Sequence, residues 1–175
     1  MKCSKLLSVG ALSFLVLFSA CDKDDEEENV NAQDTNFVAA ASLSNRAEVD
    51  LGNLALTKAA HDSVRYFAQQ MITQHTQAQQ DLEETVDDID LNVDLNQAFP
   101  AEGTQMRQML AGLNGAAFDS VYMRTQVQSH QLTLAAFQAE LSAGINNRIR
   151  SYATEYQPHI QMHLNMAQRI HNQVK

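Results

Sequence analysis

Between Val64 and Ile89 the apolar residues return every three or four positions: Val64, Phe67, Ala68, Met71, Ala78, Leu82, Val86 and Ile89. Only an α-helix gathers such spacing into one continuous stripe, because its period is 3.6 residues. The opposite positions, Gln70, Gln74, Gln77, Asp81, Glu84 and Asp88, are polar. This segment must therefore be a long amphipathic helix with one side buried and one side wet. It needs partners with matching stripes, and the rest of the chain supplies them.

A helix before it starts near Asp34 or Thr35, either of which suits a cap. Its apolar positions are Phe37, Ala40, Ala41, Ala47, Leu51, Leu54 and Ala55, and it ends near Ala59 and Ala60. His61, Asp62 and Ser63 then turn the chain. A third helix is predicted from about Ala116 to Ser142. One face carries Phe118, Val121, Tyr122, Leu132 and Ala136, and an adjoining line carries Asp119, Met123, Val127, His130, Leu134, Phe137 and Leu141. A fourth starts near Asn146 or Asn147, with the stripe Ile149, Tyr152, Ala153, Tyr156, Ile160, His163, Ala167 and Ile170. Pro158 lies inside it and predicts a kink.

Residues 90–116 are less regular. Leu91, Val93 and Leu95 alternate with polar residues, Pro100 and Gly103 interrupt, and Thr104 to Leu113 carries a short helical pattern. A chain of 175 residues with no tryptophan, two prolines and six glycines lacks the material of a turn-rich β fold. The expectation is an all-α domain over 34–175. It is a four-helix bundle of ferritin-like connectivity, two helical hairpins joined by a long crossover between the second and third helices. A plain up-and-down bundle, with 90–116 as a decorated loop, is the second topology.

The N-terminus has a different character. Lys2 and Lys5 precede an apolar run from Leu6 to Phe18. That run is short of the roughly 20 residues a spanning helix needs and has the shape of a secretory signal. Leu17-Phe18-Ser19-Ala20-Cys21 resembles the bacterial lipobox. The resemblance implies a signal peptide over 1–20, cleavage before Cys21, lipidation of Cys21, and attachment to a membrane through that lipid. Cys3 would leave with the signal, so no pair of cysteines remains for a disulfide. Asp22 to Glu28 holds six acids and one lysine, which repel and stay solvated, so 21–33 reads as an acidic tether. A lysine followed by acids just after the cysteine resembles the surface-export signal of Bacteroidetes lipoproteins. That implies an outer-membrane location facing outward. The formal net charge of −9 and the lack of a basic run argue against a nucleic-acid partner.

Four polar residues stand on or near the apolar stripes: Glu48, His75, His130 and His163, one on each expected helix. Carboxylate and imidazole suit a divalent transition metal. The same residues also fit a core in which each histidine is hydrogen-bonded by Glu48, Asp119, Tyr122, Tyr152 or Tyr156. In that case the chain is a structural or protein-interaction module, and the 90–115 segment offers its surface to a partner the sequence does not name. Asp119 and Tyr122 are candidates for orienting the ligands. Glu155, His159 and His163 follow one another at intervals of four on one face, which suits an outer layer, a second ion site or a surface patch. His61 and His171 read as solvated. An oxygen-activating di-iron site needs Glu-x-x-His pairs, whereas Ile72, Val127 and Ile160 stand three before the three histidines. No phosphate loop, dinucleotide loop, Cys-rich knuckle or serine elbow occurs, which points away from an enzyme.

The stripes also carry a family pattern. Asp34-x-x-Phe37 is followed by Ala47-Glu48-Val49-Asp50-Leu51-Gly52 with Leu54-Ala55, then Val64-x-x-Phe67-Ala68 with His75. Phe118-Asp119-x-x-Tyr122 precedes His130, and Pro158 precedes His163-Leu164. In combination these resemble the DUF4142 family over roughly 34–171. The resemblance implies an exported bacterial outer-membrane protein with a ferritin-like fold. Its motif positions here are Glu48, His75, Asp119, Tyr122, His130 and His163. It implies no reaction.

Overall fold

The structure, a computed structural model, describes residues 29–175; the expected signal peptide, Cys21 and the acidic stretch to Glu28 lie outside the described residues. Asn31 opens the first helix, α1 (Ala32–Lys58). Its side chain accepts from the Asp34 N–H at 2.9 Å, and the Asp34 carboxylate accepts from the Asn31 N–H at 2.8 Å. This reciprocal capping box places the helix start before the expected Asp34 or Thr35. The helices that follow are α2 (Asp62–Asp88), α3 (Ala101–Ala111), α4 (Gly115–Ala143) and α5 (Asn147–Gln173). His61, rather than Asp62 or Ser63, caps α2, its Nδ1 accepting from the Ser63 N–H at 3.1 Å. Helix α5 runs through Pro158 without a break.

The expected four-helix bundle of ferritin-like connectivity is therefore corrected. The described residues form five helices, arranged as two paired hairpins, α1–α2 and α4–α5. The discrepancy begins at Pro100, which caps the eleven-residue α3 in a segment expected to be mainly a connection. Proline suits a helix start, where its missing N–H costs nothing. Leu110 of α3 is fully buried, and Met106 and Leu113 pack against the same core, so this helix is held by tertiary burial. The alternating residues Leu91, Val93 and Leu95 pack against the other part of the core. Leu132, placed on an apolar face by the spacing, is 74 % exposed.

The apolar core is divided. One part gathers Phe37, Leu82, Phe137, Tyr152 and Ile160; the other gathers Ala55, Phe67, Met71, Phe118, Tyr122 and Ala167. Along every long helix a buried polar residue falls between the two: Asn45 and Glu48 on α1, His75 on α2, His130 on α4, His163 on α5. The buried polar layer is thus set at mid-height by the sequence order along each helix.

Two aspartates tie the hairpins together. Asp34, at the start of the first hairpin, accepts from the Ile145 and Asn146 N–H groups in the turn of the second, at 3.0 and 3.1 Å. Asp119, near the start of the second, accepts from the Ala60 and His61 N–H groups in the turn of the first, at 3.2 and 2.8 Å. A carboxylate bonded to main-chain N–H groups is among the stronger hydrogen-bonded pairs. Within the first hairpin, Gly52 permits close approach: a Cβ there would lie 2.8 Å from Ile72 Cγ1 and 3.1 Å from the Ala68 carbonyl.

Candidate metal centre

His75, His130 and His163 converge from α2, α4 and α5, and each is no more than 2 % exposed. One ligand nitrogen from each lies within 4.8 Å of the others. Three nitrogens bound to one tetrahedral ion stand about 3.3 Å apart, given metal–nitrogen bonds of about 2.0–2.1 Å. Closing separations of up to 4.8 Å to that value shortens each by at most about 1.5 Å, within reach of small side-chain rotations. The ring centroids are 5.2–5.9 Å apart, with the rings steeply inclined to one another.

The hydrogen bonds decide which nitrogen each ring presents. His130 Nδ1 lies 2.9 Å from the Gln126 carbonyl oxygen, which can only accept, so this nitrogen carries the proton. His75 Nδ1 lies 2.9 Å from Asn45 Oδ1, and the Asn45 amide nitrogen donates to the Tyr152 hydroxyl. His163 Nε2 lies 2.7 Å from Gln74 Oε1, and the Gln74 amide nitrogen donates to Gln70 Oε1. Each histidine thus donates one N–H to an oxygen. The remaining atoms, His75 Nε2, His130 Nε2 and His163 Nδ1, are buried bare lone pairs without a protein partner. An unmatched buried acceptor costs about 1–3 kcal/mol, and three in one place require a common Lewis acid or ordered water. Holding the outer nitrogen by an oxygen is also how metal-bound histidines are oriented.

Two of the rings, His75 and His163, are kept neutral. His75 is held well below the usual imidazole range, first by burial and then by its two histidine neighbours. His163 is pushed down to about 3, again by burial first, then by His130 and His159. Neutral imidazole is the form that ligates.

A family model described as "Domain of unknown function (DUF4142)" matches residues 19–170, most of the chain. The chain belongs to the DUF4142 family. No curated protein and no solved structure matches it. The all-helical fold of this DUF4142 protein therefore carries a buried three-histidine cluster suited to metal coordination.

The other expected site residues of the DUF4142 chain take separate places. Glu48 is buried but stands behind His130, on its protonated side. Its Oε1 lies 3.8 Å from His130 Nδ1 and accepts from Ser129 Oγ at 3.1 Å. The three-histidine group does not include it. Its Oε2, the Tyr122 hydroxyl and both amide atoms of Gln126 are buried without protein partners. Burial and the Glu48 charge hold the Tyr122 phenol well above its ordinary value, so it stays protonated. Asp119 serves the α1–α2 turn, not the histidines. His159 is exposed but lines a small cavity with His75 and His163; Glu155 is exposed and lines the neighbouring groove. His61 is exposed, as expected, and His171 is half-buried.

Spacing on the stripes did not reveal Asn45, Gln74, Gln126 or Ser129, which set the ligand orientations. A local signal existed for some of them: Gln126 is one helical turn before His130, Ser129 adjoins it, and Gln74 adjoins His75. Asn45 is distant in sequence, and only the packing of α1 on α2 brings it to His75.

Proposed function

We propose that this protein binds one divalent transition-metal ion between His75, His130 and His163 and holds it at the cell envelope without transforming a substrate. The observation that carries the reading is the set of three buried bare nitrogens, each with its opposite nitrogen fixed by an oxygen. Three imidazoles with no thiolate suit zinc, copper, nickel or iron(II), and leave calcium and magnesium, which take oxygen ligands, poorly served. Glu48 would offset part of the ion's charge from behind His130. The cavity against His75 and His163 measures about 10 Å³, close to one water, so an organic ligand does not fit there.

The envelope location is supported by the sequence: a lipobox-like ending at Cys21, an acidic tether, and an outer-membrane address implied by the lysine and acids that follow. No helix among the described residues is long and apolar enough to cross a membrane. In this reading the protein is attached through lipid on Cys21 and exposes its helical domain outward.

Two measurements test the proposal. Chelator-stripped protein is titrated with zinc(II), copper(II), nickel(II), manganese(II) and magnesium(II) by calorimetry, alongside a His75→Ala, His130→Ala variant. One tight equivalent of an imidazole-preferring ion, lost in the variant, is expected; no binding by folded wild type would refute the site. Cells expressing wild type or Cys21→Ser are labelled with radioactive palmitate, and label on the variant equal to wild type would refute the anchor.

A further inference from the structure

The three lone pairs are buried, so an ion needs a path to them, and the seam between α2 and α5 holds its parts. A groove of about 410 Å³ along this seam is lined by Asp81, Glu84, Asp88 and Glu155. Its one basic residue, Arg148, bonds to Asp88 at 2.7 Å. Tyr152 lines both this groove and the small cavity that contacts His75 and His163. The cavity is also lined by His159, which is exposed and stands one turn before His163 on α5. The His159 ring sits beside Tyr156, with centroids 5.7 Å apart, and the Tyr156 hydroxyl donates to Asp81. The unpartnered Nε2 of His75 and Nδ1 of His163 belong to residues that wall the inner end.

We propose that a hydrated divalent cation loads the three-histidine site along the α2–α5 seam, with His159 as the transient first ligand at the cavity mouth. The reasoning rests on the metal-binding reading above. Acidic walls concentrate cations and raise the rate of encounter. A cavity of about 10 Å³ does not admit an ion with its hydration shell. The ion must exchange water for protein ligands at the mouth, and an exposed imidazole one turn from His163 offers the first exchange. The ion then passes to His163 and His75, and finally to His130, while His159 returns to solvent. A second groove that reaches this layer, between α1 and α2, is strapped by the crossover. Arg46 donates to the Leu95 and Gln97 carbonyls at 2.9 Å each and stacks over Phe99.

The test is stopped-flow loading of the metal-free full-length protein with zinc(II), read by competition with a fluorescent chelator, together with dissociation into excess chelator. His159→Ala is expected to slow association and dissociation by the same factor, about tenfold, leaving Kd unchanged, because a ligand used only in transit lowers the barrier in both directions. A Glu84→Gln, Glu155→Gln variant should load more slowly at low salt and show a weaker salt dependence. His61→Asn, which alters an exposed histidine at a helix cap elsewhere, should load like wild type. Unchanged rates in His159→Ala would overturn the route. Faster dissociation with weaker Kd would also overturn it, since His159 would then belong to the final coordination. A wild type that binds no zinc removes the metal-binding reading and the route with it, an outcome distinct from binding at an unaltered rate.

Discussion

Replacing His130 with leucine should separate a metal site from an ordinary buried histidine, because the two predict opposite signs. His130 is 2 % exposed, bonded at Nδ1 to the Gln126 carbonyl at 2.9 Å, and bare at Nε2. In the metal-free protein the unmatched Nε2 costs about 1–3 kcal/mol, while the Nδ1–H bond returns about 0.5–1.5 kcal/mol. Leucine removes both. It leaves no new orphan, because the Gln126 carbonyl also serves the main-chain N–H of residue 130 in the α-helical pattern. Its side chain is of similar size and wholly apolar. The metal-free variant should therefore match wild type or exceed it by about 1 kcal/mol, a rise of about 2–4 °C in Tm for a chain of this length. With metal at about 100 times its Kd the order reverses, since wild type gains about 2.7 kcal/mol by linkage and the variant gains little. The assay is urea and thermal unfolding by circular dichroism, each in chelator and in saturating zinc(II). A variant that loses 2 °C or more in chelator, together with a wild type indifferent to zinc, would refute the reasoning. The histidines would then be satisfied core residues.

Three further perturbations follow from the geometry. Glu48→Gln should weaken metal binding by about 10–100-fold, measured by calorimetry, since Glu48 supports His130 from behind and supplies the nearby negative charge. Asp119→Ala should cost about 2–4 kcal/mol in urea unfolding by releasing the Ala60 and His61 N–H groups, yet leave metal stoichiometry at one, because Asp119 is remote from the histidines. Glu140, buried beside Asp34, is pushed from 4.5 up to about 7, mainly by burial and then by Asp34. The folded chain therefore holds a proton that the unfolded chain releases. The Glu140 contribution to stability should fall as pH rises from about 4.5 to about 7, against the opposite contribution of His75 and His163, whose lowered values favour the folded chain as pH rises; unfolding curves taken across this range should therefore rise more steeply with pH in Glu140→Gln than in wild type.

The sequence alone determined that residues 32–173 are mainly helical and which residues face inward on α2 and α5, and it drew the faces of α1 and α4 in part. A period of 3.6 residues admits one solution, and it placed His75, His130 and His163 on buried faces. The division of the core was also latent there, because a polar residue interrupts each stripe near its middle. Periodicity is blind to rotation and pairing between helices, and the tertiary structure decided those. It fixed the short helical pattern read at Thr104 to Leu113 as a fifth helix over 101–111, anchored by the burial of Leu110. It exposed Leu132 and sent Asp119 to the α1–α2 turn. Glu48 shows the limit most clearly. The stripe put it at the same height as the histidines, but a few ångströms and the side of a ring separate a ligand from a supporting charge. Distances of that order are fixed by side-chain packing between helices distant in sequence, as are the bonds from Asn45 and Gln74 that turn three bare nitrogens toward one point.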